Sequence, residues 1–235
     1  VGVPSLMNES GIGFLMEKEL KYLVDAMNNP VQPCAVILGG AKIGDKMELI
    51  YNMAEKTDTI LIGGAMAYTF LKVQGKNVGS SLVDKENLQL AEDIIRYADS
   101  NNTNLVLPID VVAAPKALQN ASWRVANLAD LKADESGYDI GPETTMNFEL
   151  LLSGKKTIIW NGPMGMCEIP AFSTGTQAIA SIVKGQTEEG AVSIIGGGDT
   201  ASALKNYGIS DGFTHISTGG GASLQLICIE SICLR

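Results

Sequence analysis

Histidine is nearly missing from this chain, with His215 the only one in 235 residues. An imidazole-rich zinc site is excluded, and His215 has neither a serine elbow nor a paired acid near it in sequence to make a triad, so it reads as structural. The four cysteines, Cys34, Cys167, Cys228 and Cys233, contain no C-x-x-C pair, which fits reduced and mostly buried thiols. Positive charge is short as well: 17 Lys plus Arg stand against 26 Asp plus Glu, a formal charge of −9. That balance argues against a nucleic-acid or anionic-membrane surface, so any phosphate must be held locally. No run of eighteen apolar residues occurs and the first residues carry no charged-then-apolar leader, which leads to the expectation of a cytoplasmic protein without a membrane anchor. Two nucleotide signatures are absent too. Asp45 follows Gly44 where a Walker A loop needs lysine, and no G-x-G-x-x-G opens the first unit.

Glycine is what the chain has in place of these. Four apolar runs stop at Gly39-Gly40, Gly63-Gly64, Gly196-Gly197-Gly198 and Gly219-Gly220-Gly221. A strand that ends in glycine and opens into a helix lets backbone approach a ligand, and the helix start offers unpaired N–H groups and partial positive charge. The 46% hydrophobic composition suffices for a core of one large domain or two small ones.

Short apolar runs alternate with helical stretches, the signature of successive βαβ units. Six strands are predicted at 33–39, 59–63, 104–108, 156–160, 191–196 and 213–217, with helices near 43–55, 65–73, 86–101, 143–153, 171–183 and 200–206. The segment 109–140 is more polar and reads as an irregular excursion or flap. The predicted fold is α/β, a Rossmann-like three-layer αβα arrangement around a six-stranded parallel sheet. Before it come a linker over 1–12 and a helix over 13–29, with the domain itself over 30–235. In such sheets ligands sit beyond the carboxyl ends of the strands, where all four glycine clusters fall.

Several side chains near those ends could carry chemistry. Lys42 and Lys46 lie one turn apart at a predicted helix start, the unfavourable end for cations by roughly 0.3–1 kcal/mol each; they are either solvated or matched to an anion. Asp199, after Gly196-Gly197-Gly198, is either a helix N-cap or a carboxylate ligand for Mg²⁺. Glu168, in the turn after Trp160-Asn161-Gly162-Pro163, is either a solvated loop residue or an acceptor for a ribose hydroxyl. Thr218 is a cap or part of a phosphate loop, the third glycine of its cluster suggesting close approach to a ligand.

Taken in order, these blocks closely resemble phosphoglycerate kinases. The matching pieces are Gly13-Phe14-Leu15-Met16-Glu17-Lys18-Glu19-Leu20, Leu38-Gly39-Gly40-Ala41-Lys42, Ile62-Gly63-Gly64-Ala65-Met66-Ala67-Tyr68-Thr69-Phe70, Trp160-Asn161-Gly162-Pro163-Met164-Gly165, Ile195-Gly196-Gly197-Gly198-Asp199-Thr200 and the block from His215 to Leu224. The family has two Rossmann-like lobes, and this chain is similar to the second, nucleotide-binding one. The resemblance implies ATP or ADP as substrate with Mg²⁺, Lys42 beside the transferring phosphoryl group and Lys46 on nucleotide phosphate. It also implies Asp199 on the metal with Thr200 beside it, Asn161 on phosphate and Glu168 on ribose. Gly40, Ala41, Gly64, Ala65, Gly137, Tyr138, Pro163, Gly165 and Met166 would line the nucleoside pocket. Gly197, Gly198 and Gly220 would offer backbone N–H groups to the moving phosphoryl group, Gly197 and Gly220 being catalytic in that sense.

Some features depart from the family. The arginines and histidine that bind phosphoglycerate belong to the first lobe and have no counterpart here, so the acid substrate would be reached only through that lobe. Ala65 stands where a third glycine is frequent, Tyr138 where an aliphatic residue is usual and Cys167 where an aromatic is usual. The stretch from Leu226 to Arg235 is unlike the family's C-terminal segment. The expectation is a monomeric, adenine-nucleotide-binding half of a glycolytic kinase, with a non-catalytic nucleotide-binding or interaction module derived from the kinase as the alternative; a nicotinamide oxidoreductase is disfavoured by the missing fingerprint.

Overall fold

The structure, a computed structural model, describes residues 13–14 and 29–217. The predicted linker over 1–12, nearly all of the predicted helix over 13–29, and the stretch from Thr218 onward with its Gly219-Gly220-Gly221 cluster lie outside the described residues.

All six predicted strands form and join one all-parallel sheet: β1 (Cys34–Leu38), β2 (Thr59–Ile62), β3 (Asn104–Val106), β7 (Thr157–Asn161), β8 (Val192–Gly196) and β9 (His215–Ile216). Their order is β3-β2-β1-β7-β8-β9. The chain therefore builds outward from β1 in one direction, then returns and builds outward from β7 in the other. The reversal falls between β1 and β7, paired from Cys34↔Thr157 to Leu38↔Asn161. A crevice opens at such a point, just past Leu38 and Asn161.

Burial explains why these runs are strands. Every residue of β1 is buried, as a sheet covered on both faces requires. Cys34, Val36 and Leu38 point into one core, packed with Leu49, Ile50 and Met53 of α1 (Met47–Ala54), Phe70 of α2 (Ala67–Val73) and Ile94 of α3 (Leu88–Ser100). Ala35 and Ile37 point into the opposite core with Trp160, Phe148 of α4 (Pro142–Leu152), Ile179 and Val183 of α5 (Thr174–Glu188) and Leu204 of α6 (Gly198–Asn206). Strand alternation thus feeds two helix layers, each buried large side chain contributing about 1.5–3 kcal/mol.

The segment read as an irregular excursion is ordered. It forms a three-stranded antiparallel sheet of β4 (Asp110–Ala114), β5 (Arg124–Asn127) and β6 (Ser136–Ile140), in the order β5-β4-β6, with a register shift between Val112 and Ala113. Its strands hide from sequence patterning because β5 is four residues long and β6 contains Gly137 and Asp139, both depleted in strands. The sheet is tied to the domain by two buried aspartates. Asp110 accepts the N–H groups of Thr144 at 2.7 Å and Glu143 at 3.1 Å in the first turn of α4, and Asp139 accepts that of Gly175 at 2.7 Å in the first turn of α5.

Candidate functional site

The loops leaving β1, β2 and β7 lock onto one another by backbone hydrogen bonds. Gly39 N–H donates to Asn161 C=O at 2.9 Å, Gly40 N–H to Pro163 C=O at 2.9 Å and Gly64 N–H to Met164 C=O at 3.0 Å. This contact, rather than a ligand, sets the requirement for several glycines. A Cβ on Gly39 would lie 2.0 Å from Pro163 O, one on Gly64 would lie 2.4 Å from Gly40 N, and one on Gly63 would lie 2.5 Å from Met164 Sδ. The expectation that every cluster bares backbone to a ligand is corrected for Gly39 and Gly63, while Gly64 both packs against Gly40 and lines a groove.

The third cluster behaves differently. Gly197 has φ +91° and precedes α6, and nothing lies within 4 Å of where a Cβ on Gly198 would be. Beside them sits the side chain of Asn161, 2% exposed at the end of β7. Its Oδ1 accepts a hydrogen bond from Lys46 Nζ, while its Nδ2 is buried and has no hydrogen-bond partner among the described residues. Thr200, fully buried in the first turn of α6, accepts the N–H of Gly162 through Oγ1 at 2.8 Å and so pins the loop after β7 to the helix start. An amide donor aimed at a helix N-terminus, with a lysine alongside, suits an anion.

Lys46 is placed as a helix start rather than inside one: it ends a 3-10 turn, Gly44–Lys46, and is the N-cap residue of α1. Lys42 precedes that turn and is exposed, so the two lysines do not share a helical first turn as expected. Asp199 is not the N-cap either. That position belongs to Gly197, and Asp199 is exposed in the first turn of α6.

From this end a groove of about 490 Å³ runs toward β6. Gly40, Ala41, Gly64, Ala65 and Pro163 line one part; Gly137, Tyr138, Gly165 and Met166 line another; Glu168 and Asp199 are also on its wall. Eleven positions named from the sequence are thereby gathered around one cavity. Lys42, Lys46, Asn161, Gly197, Gly198 and Thr200 are not on its wall; of these, Lys46, Asn161, Gly197 and Thr200 form the polar end described above. Gly220 lies outside the described residues. Tyr138 packs on Phe172 with ring centroids 5.0 Å apart, which fixes an aromatic surface against the groove.

Sequence reasoning missed Tyr68, Met164 and Asp139, which also line it. Tyr68 and Met164 lay inside quoted blocks but were given no role. Asp139 followed Gly137 and Tyr138 with no motif of its own. Burial holds the Tyr68 phenol well above the usual range, with the nearby Asp139 adding to it. Burial also pushes Asp139 up to about 7, against the pull of the backbone N–H groups of Gly175 and Ile140. Among the described residues no three His, Cys, Asp or Glu side chains gather into a metal cage. A lone exposed carboxylate such as Asp199 fits Mg²⁺ held by one side chain together with substrate phosphates.

The family model for phosphoglycerate kinase matches residues 1–228. The chain belongs to the phosphoglycerate kinase family. It is 46% identical over 226 residues to the phosphoglycerate kinase of Chloroherpeton thalassium, covering 96% of this chain and 57% of the relative. With the Thermosipho africanus phosphoglycerate kinase it shares 49% over 216 residues, 92% of this chain and 54% of the relative. Among solved structures, the phosphoglycerate kinase of Coxiella burnetii superposes with a TM-score of 0.86 at 39% identity, over 90% of this chain and 54% of that one. The Pyrococcus horikoshii phosphoglycerate kinase gives 0.78 at 30%, over 92% and 54%. The chain thus spans a little over half the length of these relatives, and its six-stranded parallel sheet is a phosphoglycerate kinase fold element. No helix among the described residues is long and apolar enough to cross a membrane.

Proposed function

We propose that this chain is the nucleotide-binding half of a phosphoglycerate kinase, binding Mg-ADP or Mg-ATP in the groove between β1 and β6 with little turnover alone. The observation that supports it most is the buried Nδ2 of Asn161, without a hydrogen-bond partner among the described residues, beside Lys46 and the start of α6. A polar group desolvated without a partner costs about 1–3 kcal/mol, which a bound phosphate oxygen would offset.

On this reading the base lies in the groove against Tyr138 and Met166, framed by Gly40, Ala41, Gly64, Ala65, Gly137, Pro163 and Gly165, and Glu168 accepts from the ribose. Lys46, Asn161 and the N–H groups of Gly197 and Gly198 take the phosphates, with Thr200 holding their loop in place. Asp199 would hold Mg²⁺, which neutralises phosphate charge when bound. Lys42, which is exposed, would reach the transferring phosphoryl group; Gly220, outside the described residues, would have the same task on the family resemblance alone. The family reaction moves a phosphoryl group between 1,3-bisphosphoglycerate and ADP, and phosphoryl transfer draws mainly on positioning and charge neutralisation. Phosphoglycerate would be bound by the other lobe, and closure of two lobes excludes water during transfer.

Calorimetry with MgADP, run beside a coupled kinase assay, tests this. Micromolar to millimolar binding with negligible turnover is expected; no binding overturns the reading, and substantial turnover overturns the claim that this half is insufficient. Asp199→Ala should weaken MgADP far more than metal-free ADP, and an equal loss removes Asp199 from the metal.

A further inference from the structure

Asp139 is 2% exposed at the end of β6 and lines the groove. Its carboxylate holds together elements that form the groove's far wall. Oδ2 accepts the N–H of Gly175 at 2.7 Å in the first turn of α5, and Oδ1 accepts that of Ile140 at 2.9 Å. The surroundings are cut to fit it. A Cβ on Gly165, in the turn after β7, would lie 2.3 Å from Asp139 Oδ1, and one on Gly175 would lie 2.4 Å from the same atom. The neighbouring backbone carries the groove's lining: Met166 N–H donates to Tyr138 C=O at 3.0 Å, joining the same turn to the same strand.

Among the described residues no cation faces this carboxyl group. The titratable groups around it are Tyr68 from α2, Tyr138 beside it on β6, Cys167 and Glu168 from the turn after β7, and Tyr207 following α6. From β4 its partner is Val112, and the first turn of α5 offers Thr174, Gly175 and Thr176. The lysine of α5, Lys184, pairs instead with Asp211 at 3.8 Å. Among the described residues the carboxylate is therefore held by backbone N–H groups, in the wall of the groove.

We propose that Asp139 is a positioning residue that fixes the far wall of the base pocket, and that filling the pocket is coupled to proton uptake by its carboxyl group. The proposal rests on the groove being the nucleotide site. A base laid over the wall removes water from it and brings no positive charge, so the neutral acid gains relative to the carboxylate. Because Asp139 already titrates near neutrality, that gain falls where solution pH can report it. Affinity then rises as pH falls through this region, by thermodynamic reciprocity between proton and nucleotide.

The test is calorimetry of ADP binding at pH 7 in two buffers of different ionisation enthalpy, for the wild type and Asp139→Asn. The nucleotide's own phosphate protonation is common to both and cancels in their difference. Wild type should take up roughly 0.3–0.5 proton more than the variant, and its affinity relative to the variant should tighten roughly three- to tenfold from pH 8 to pH 6. Equal proton uptake in the two proteins overturns the proposal, and a purely structural role for Asp139 would leave them equal. Should the variant not fold, carboxyl ¹³C titration of the wild type decides: one aspartate must titrate near neutral pH and shift upward with ADP, and its absence overturns the proposal. Failure of ADP to bind at any pH sinks the nucleotide reading itself, whereas binding without proton linkage sinks only the role of Asp139.

Discussion

Asp110 Oδ1 accepts both the backbone N–H and the hydroxyl of Thr144, each at 2.7 Å, across a fully buried junction between β4 and α4. The same hydroxyl oxygen accepts from the N–H of Ile109 at 3.0 Å and of Asp110 at 3.1 Å. One threonine thus closes a small network on a buried carboxylate, where hydrogen bonds to charge are worth about 1.5–3 kcal/mol. Thr144→Val keeps the shape and removes every one of the hydroxyl contacts. It should lower unfolding free energy by about 2–4 kcal/mol in urea titration, and a loss under half of the lower figure would mean that the small sheet is docked by apolar packing instead.

Across the small sheet, Arg124 grips Glu135 with two hydrogen bonds, Nε to Oε1 at 2.9 Å and Nη2 to Oε2 at 2.7 Å. The guanidinium, helped by the N–H of Lys132, holds the Glu135 carboxyl down at about 2. A depressed folded-state value means that the pair stabilises fully above the ordinary glutamate range near 4.3, and that this stabilisation fades as pH falls through about 2. Glu135→Gln should therefore be less stable than wild type at pH 6, with the gap shrinking steadily between pH 4 and pH 2. A gap independent of pH would show that Glu135 acts by shape rather than by charge.

How legible each part was follows from the range of the interactions that fix it. β1, β7 and β8 are buried on both faces, so their apolar runs announce them, and the glycines that follow mark the crevice. The antiparallel sheet was invisible because long-range contacts decide it: Asp110 with α4, Asp139 with α5, Arg124 with Glu135. Tyr138 and Gly137 were named through resemblance alone, without the strand that carries them. Asp199 shows the limit of local capping rules. An aspartate after glycines at a helix start reads as a cap, yet Gly197, with its positive φ, is the cap and begins the helix two positions earlier than Asp199 would. Lys42 and Lys46 were split by a 3-10 turn that no periodicity signals.

The glycines divide into two kinds with opposite consequences. Gly39 is packed against the next loop, where a Cβ would lie 2.0 Å from Pro163 O, while around Gly198 nothing lies within 4 Å. Gly39→Ala should cost about 1–3 kcal/mol or more from overpacking. Gly198→Ala, in the first turn of α6, should be neutral or stabilising by up to about 1 kcal/mol, because alanine favours the helix. It should nevertheless weaken ADP by crowding the phosphates. Thermal melts and ADP titrations on both variants check this; a destabilised Gly198→Ala, or one that binds ADP normally, would remove Gly198 from the phosphate site.

The ring of Tyr138 is held by Phe172 at 5.0 Å between centroids, and Tyr138 lines the groove together with Gly137, Met166 and Ala65. An aromatic surface of this kind gains about 1–3 kcal/mol per stacked base and gives nothing to a phosphate chain. Tyr138→Ala should weaken ADP by roughly five- to thirtyfold, in line with the lower half of that range. Inorganic tripolyphosphate, which would use only the end formed by Lys46, Asn161 and α6, should bind wild type and variant alike. Competition titrations with both ligands separate the two ends of the groove. An equal loss for ADP and tripolyphosphate would place Tyr138 outside the base pocket and make its contact with Phe172 a support for the wall alone.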